Sequence, residues 1–130
     1  MKMLDTNICS YILRRHPLSV VERFAEQCNQ RFCISALVAA ELRFGAVKRG
    51  LEQLSRQIED FLAGFPIHPW PEEASRHYAH LRAGLERQGK PIGNMDLLIA
   101  AHALAENAVL VTHNSREFER VPGLTVEKWT

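Results

Sequence analysis

A parallel α/β sheet covered by helices is the fold class this sequence predicts, and three observations predict it. Short apolar runs alternate with longer segments whose apolar residues recur at helical spacing. Residues 108–111, Ala-Val-Leu-Val, are continuously apolar, as a strand buried on both faces should be. The chain has 130 residues, 46% apolar and 24% charged, which is enough for one core and too little for two. A single domain over residues 1–130 is therefore expected.

The elements follow in order. Lys2 to Leu4 form a short strand that ends at Asp5-Thr6-Asn7. Thr6 or Asn7 is expected to cap a helix through Ile8, Tyr11, Ile12 and Leu13. Pro17 opens a second helix with Val20, Val21, Phe24 and Ala25 on one face. Phe32 to Ile34 read as a strand, and Ser35 caps a helix that runs to about Lys48 and stops at Gly50. Leu51 to Leu62 form a further helix broken by Gly64, and a strand is expected over Phe65 to His68, closed by Pro69-Trp70-Pro71. Glu72 to Gln88 make an amphipathic helix with Ala74, Tyr78, Leu81 and Leu85 inward. After the loop Gln88 to Gly93, Asn94 is expected to cap an apolar helix reaching about Ala105. Ala108 to Val111 form the best buried strand, a helical turn is expected at Glu117 to Glu119, and a last strand at Leu124 to Val126.

Composition narrows the classes of function. Sixteen Lys and Arg against 15 Asp and Glu leave a formal charge of +1, so nucleic acid would have to be held by a local basic patch. No apolar run approaches a membrane span, and an acid at residue 5 comes too early for a signal peptide, so a cytoplasmic protein is expected. Cys9, Cys28 and Cys33 are odd in number and lack CxxC spacing, which favours small buried thiols over a disulfide or zinc framework.

In parallel sheets, ligands gather beyond the carboxyl ends of the strands. Asp5 follows the first strand there, Thr112 and Asn114 follow the buried strand, and Asp96 lies in the first turn of the preceding helix. Glu41 falls on the apolar stripe of Leu37 and Val38, where an acid is costly unless its charge is compensated. Asp5, Glu41 and Asp96 together make an oxygen-rich set suited to Mg²⁺ or Mn²⁺ rather than zinc. Such a cation orients and acidifies water for phosphodiester hydrolysis. Position alone leaves alternatives open. Asp5 reads also as a helix cap, Asp96 as an acid favoured by the helix dipole, and Glu117 and Glu119, beside Arg116 and Arg120, as solvated charges.

Four segments carry a family resemblance: Met3 to Asn7 (Met-Leu-Asp-Thr-Asn), Ala39 to Gly45, Asn94 to Ala103, and Leu110 to Phe118. In this order and spacing the chain resembles the PIN-domain ribonucleases, and most of all the VapC toxins of bacterial VapBC toxin–antitoxin pairs. The resemblance implies a three-layer α/β/α fold with an acidic pocket for Mg²⁺, with Mn²⁺ as substitute. Asp5, Glu41 and Asp96 correspond to the first three acids. The usual fourth is replaced by Asn114, and Glu117, one helical turn on, is the candidate substitute. Thr112 matches a supporting hydroxyl, and Thr6 and Asn7 look like further supporting groups.

The implied activity is endoribonuclease cleavage of tRNA, with initiator tRNA in the anticodon region suggested by Val121 to Leu124 and the Trp129 tail. Translation would be inhibited, and cleavage would leave 5′-phosphate and 3′-hydroxyl ends. The implied partners are a homodimer mate and a VapB-type antitoxin covering the pocket, with operator DNA reached only through the antitoxin. Candidate RNA contacts are Arg14, Arg15, Lys90, His113 and Arg116. His77 and His80 lack the further ligands of a zinc site and read as surface histidines, while His102 reads as packed in its helix. Two competing classes remain at this stage. One is a catalytically weak RNA-binding or antitoxin-binding module. The other is a phosphate-transfer protein using Asp5, which lacks the second Asp such a site needs.

Overall fold

The computed structural model describes residues 1–129. Its strands are β1 (Lys2–Leu4), β2 (Phe32–Ser35), β3 (Ile67–His68), β4 (Val109–Thr112) and β5 (Val126–Lys128). Its helices are α1 (Thr6–Arg14), α2 (Leu18–Glu26), α3 (Ala36–Arg49), α4 (Glu52–Ala63), α5 (Glu72–Arg87), α6 (Asn94–Ala105) and α7 (Ser115–Phe118). The five strands form one parallel sheet in the order β3-β2-β1-β4-β5. The expected α/β class is thus present, with helices flanking the sheet.

This order determines where a site belongs. The chain moves outward from β1 to β2 and β3, then returns across the sheet to β4 beside β1. Right-handed crossovers put the outward and return helices on opposite faces. The loops after β1 and β4 therefore diverge, and a crevice opens at the carboxyl ends of these two strands. Met3, Leu4, Leu110 and Val111 are fully buried along the two strands, which makes this pair the rigid floor of the crevice.

Local chemistry moves several boundaries. Asp5, Thr6 and Asn7 are all good caps, but Asp5 wins. Its amide donates to the Val111 carbonyl at 3.0 Å, which keeps it extended in register with β4, and its carboxylate accepts from the Ile8 amide at 2.9 Å. Asn94 is likewise the first residue inside α6, not its cap. Gly93 holds the cap position without any side-chain bond, its carbonyl accepting from Leu97 at 2.9 Å. Ser35 does cap α3, accepting from the Leu37 amide at 3.1 Å, and Gly50 ends that helix at φ 67°, where a side chain would be strained.

The edge strands are shorter or displaced relative to expectation. β3 spans two residues between Pro66 and Pro69, because neither proline can donate to a ladder. β5 begins at Val126 rather than Leu124, since Gly123 at φ 81° and the Leu124 amide, bonded to Val121, still belong to a turn. On α2 only Val20 is fully buried and Ala25 is exposed, so that face is narrower than its apolar spacing implies. Cys9 and Cys33 are buried thiols whose pKa burial raises, to about 12 for Cys33, whereas Cys28 is exposed, against expectation.

Trp129 closes the far edge. It is fully buried, its amide donates to the Thr112 carbonyl at 3.1 Å, and its ring packs edge-on against Phe32 at 5.9 Å. Beside it Lys2 pairs with Glu127 at 2.9 Å. Because the buried Trp129 ring packs against Phe24 and Phe32, Trp129→Ala is expected to lower the free energy of unfolding by about 3–5 kcal/mol. Chemical denaturation would measure this, and a loss below about 1 kcal/mol would mean the tail is not part of the core.

Candidate active site

Four acids reach the crevice from four elements. Asp5 ends β1 and caps α1, and Glu41 lies in the second turn of α3. Asp96 lies in the first turn of α6, and Glu117 lies on α7 just beyond β4. Asp5 is only 5% exposed. Burial raises its pKa, and the charge of Glu41 adds to the rise. The Thr112 hydroxyl, the Ile8 amide and the nearby His113 ring pull it back down. Asp96 is pushed up to about 6, first by burial, then by the Glu117 carboxyl beside it, then by the charges of Asp5 and Glu41. The electrostatics of Asp96 thus register all three other acids.

Neutral groups hold these carboxylates. The Thr6 hydroxyl donates to Glu41 across 35 residues of chain. Thr112, fully buried, faces Asp5 and also accepts from the Asn114 amide at 3.0 Å, which ties the loop after β4 to the floor. Among the described residues none of the four acids has a Lys or Arg within ion-pair distance. Arg43, the nearest base to Glu41 in sequence, turns away to grip Glu59 with two hydrogen bonds of 2.8 and 2.9 Å. On the surface Arg43, Arg76 and Arg82 pair with Glu59, Glu72 and Glu86, while Asp5 and Glu41 are held by hydroxyls and an amide.

That donor set fits a hard divalent cation. Among the described residues no group of three or more His, Cys, Asp or Glu side chains is arranged to hold a metal ion by itself. Mg²⁺ does not need one, because it takes one or two carboxylates and keeps several waters. Mutual repulsion among uncompensated carboxylates is what such an ion would relieve.

The remaining expected residues divide. Asn114 is exposed at the head of α7 and its side chain makes no cap bond there, while the carboxyl of Glu117 is the one beside Asp96. Asn7 is exposed, with no bond to the acids among the described residues. His113 packs edge-on against Tyr11 with ring centroids 5.5 Å apart, and the Arg14 guanidinium lies over the Tyr11 ring, 5.4 Å from its centroid. Arg14, Tyr11 and His113 thus form a continuous rim beside Asp5. Tyr11 escapes a sequence reading because helical spacing assigns it to the core face, and it sits at the border of that face. Arg15, Lys90 and Arg116 are exposed and make no ion pair with the acids among the described residues. His77 and His80 line a groove of about 410 Å³ on α5 with Glu73 and Arg76, which contains none of the four acids. No helix among the described residues is long and apolar enough to cross a membrane.

Comparison with known proteins identifies the family and the fold. A PIN domain family model matches residues 2–124. The chain is 44% identical over 131 residues to Ribonuclease VapC2 of Rickettsia felis, covering 98% of this chain and 96% of that protein. It is 42% identical over 130 residues to the tRNA(fMet)-specific endonuclease VapC of Shigella flexneri, covering 98% and 97%. Among solved structures, VapBC2 from Rickettsia felis bound to a DNA fragment from its promoter superposes with a TM-score of 0.91 at 41% identity, over 99% of this chain and 98% of that one. VapBC-1 from nontypeable Haemophilus influenzae gives 0.86 at 39% identity, over 98% and 97%.

The raised acids have a consequence for stability. Between the unfolded pKa near 3.8 and the native value of about 6, native Asp96 holds a proton that the unfolded chain has released. Stability of the cation-free protein should therefore fall as pH rises through this window, and Asp5, raised in the same direction, adds to the fall. Asp96→Asn is expected to raise the melting temperature in EDTA at pH 7.5 by on the order of 5 °C and to flatten this slope. Added Mg²⁺ should stabilise the unaltered chain far more at pH 7.5 than at pH 5. Melting curves showing the opposite slope would mean the acids are not mutually strained.

Proposed function

The chain belongs to the PIN-domain family, among the VapC ribonucleases of VapBC toxin–antitoxin pairs, and from that premise we propose that its acid crevice hydrolyses RNA with a divalent cation held by Asp5, Glu41 and Asp96. The observation that carries this is the convergence of four carboxylates with no basic partner at the carboxyl ends of β1 and β4. Mg²⁺, or Mn²⁺ in its place, would supply positive charge to the phosphate and acidify the attacking water. Asp5 is oriented by the Ile8 amide and Thr112, and Glu41 by the Thr6 hydroxyl, so both present oxygens without rotamer freedom. Glu117, across from Asp96, takes the part of the fourth acid in place of Asn114 and accepts the proton as water attacks. Asn114, on the outside of the turn, contributes at most a contact to RNA. In-line attack by water leaves a 5′-phosphate and a 3′-hydroxyl.

The rim supplies the means to hold RNA in spite of the negative crevice. Arg14 offers charge to phosphate, and Tyr11 and His113 offer ring faces and edges to an unstacked base. Arg15, Lys90 and Arg116 add charge at the outer margin. The substrate proposed is tRNA, and initiator tRNA cut in the anticodon region first among them. The name of the Shigella relative supports that order, and loss of this tRNA would inhibit translation. A VapB-type antitoxin neutralises the enzyme in the cytoplasm, and the chain pairs with a second copy of itself in the complex. Operator DNA is contacted through the antitoxin, a reading supported by the promoter-bound structure of the Rickettsia pair.

The test is cleavage of a purified tRNA panel by antitoxin-free protein with Mg²⁺, Mn²⁺ or EDTA. Asp5→Asn, Glu41→Gln and Asp96→Asn should each lower the rate by at least 10–100-fold, the cost of disturbing even the groups around a metal's ligands. Glu117→Gln should fall with them, and Asn114→Ala should stay within a few-fold of the unaltered protein. The reverse ranking of the last two would restore Asn114 to the site. Folded protein that cuts no RNA would instead be a binding module.

A further inference from the structure

The polar cluster built on His102 takes no part in that chemistry, yet it joins the two helices that carry Glu41 and Asp96. His102 is fully buried on α6 among Leu97, Ile99, Ala100 and Ala103. A polar ring there is costly unless both nitrogens are bonded, and both are. Nε2 meets the Glu106 carboxylate one turn on, and Nδ1 lies 2.8 Å from the Ser35 hydroxyl. Burial holds the His102 pKa below its ordinary value, against the pull of Glu106, so the ring is neutral. The Nε2–H donates to Glu106, which leaves Nδ1 to accept from the Ser35 hydroxyl. Glu106 is itself held on its other oxygen by His68 at the end of β3. Ser35 is fully buried and already engaged with the Leu37 amide, so it is closed to any substrate and is no nucleophile.

Ser35 caps the start of α3, six residues before Glu41, and His102 stands six residues after Asp96 on α6. We infer that His102 is a positioning residue, which through Ser35 pins the first turn of α3 to α6 and so sets the separation of the Glu41 and Asp96 carboxylates. This rests on the reading of the acid crevice as a cation site. Among the described residues no other hydrogen bond joins α3 or its cap directly to α6, and the two helices otherwise meet through non-directional packing. The directional bond removes the residual sliding of one helix on the other.

Two near-isosteric substitutions separate the ends of the ring. His102→Asn places an amide where Nδ1 stands and keeps Ser35, whereas His102→Gln reaches the Nε2 position, keeps Glu106 and releases Ser35. Each deletes one buried bond, so general destabilisation is matched. Two quantities are read: amide exchange of the first turn of α3 in metal-free protein, and the Mn²⁺ dissociation constant by electron paramagnetic resonance. The expectation is that His102→Gln speeds exchange at Leu37 to Ala39 and weakens Mn²⁺ binding about tenfold or more, while His102→Asn stays within about twofold on both. If His102→Gln does not fold, Mn²⁺ affinity decides: Ser35→Ala should weaken it about tenfold and Ser35→Thr, which keeps both bonds, should leave it within about twofold, exchange being set aside in Ser35→Ala because that variant also loses the Leu37 cap. Equal behaviour of the Asn and Gln variants, with Ser35→Ala unlike Gln, would overturn the inference. If the unaltered protein binds no Mn²⁺, the reading of the crevice fails, and the exchange rates alone still decide whether His102 pins α3.

Discussion

Carboxylates gathered without a counter-charge repel one another, and this repulsion has to be resisted by the scaffold before any chemistry can use it. The parallel pairing of β1 with β4 does the resisting. It places Asp5 and Thr112 side by side on two strands whose core residues are wholly enclosed. Glu41, Asp96 and Glu117 then arrive on helices whose own packing fixes their approach. If β1 and β4 were separated by another strand, the crevice would lose both its floor and the hydroxyl that steadies Asp5. The order of the sheet and the chemistry at its edge are one constraint seen at two scales.

The means of restraint are consistent. Asp5 is held by an amide and a threonine hydroxyl, and Glu41 by another threonine hydroxyl. A lysine or arginine in any of these places would hold the acid more tightly and also neutralise it, filling the role left to a cation. Neutral donors give orientation without cancelling charge. The cost appears as the raised pKa of Asp96. A site tuned in this way is strained when empty and relieved when filled, which is the property a cation-requiring pocket needs.

Much of this was legible in the residues. Asp5 stood out because an acid directly follows an apolar run, Asp96 because it opens an apolar helix, and Glu41 because it interrupts an apolar stripe. Glu117 was ambiguous, since Arg116, Glu119 and Arg120 around it look like a solvated turn. Only the fold of α7 back from β4 turns it toward Asp96. Cap and site acid are compatible roles for Asp5, since one carboxylate oxygen serves the Ile8 amide while the group as a whole faces the crevice. The cap of α1 could not be chosen from three adjacent cap formers, because the choice depends on a hydrogen bond to β4 more than a hundred residues away in the chain. His102 was recognisable as packed, but not its partner Ser35, 67 residues distant. Edge strands of two or three residues carry too little pattern to be located, so their ends were the least legible features.

Those same short edges restrict how another chain can attach. β3 offers two residues enclosed by Pro66 and Pro69, and β5 offers three between a turn and the buried Trp129. Neither presents a run of free backbone groups long enough for an incoming strand to zip onto, so extension of the sheet by a partner is closed at both borders. Recognition by any protein must then be written in side chains, on helix surfaces or across the crevice, where each contact is set by residue identity. A chain that must be silenced by one partner and left alone by the look-alikes of that partner gains from this, since backbone pairing is indifferent to sequence and side-chain recognition is not.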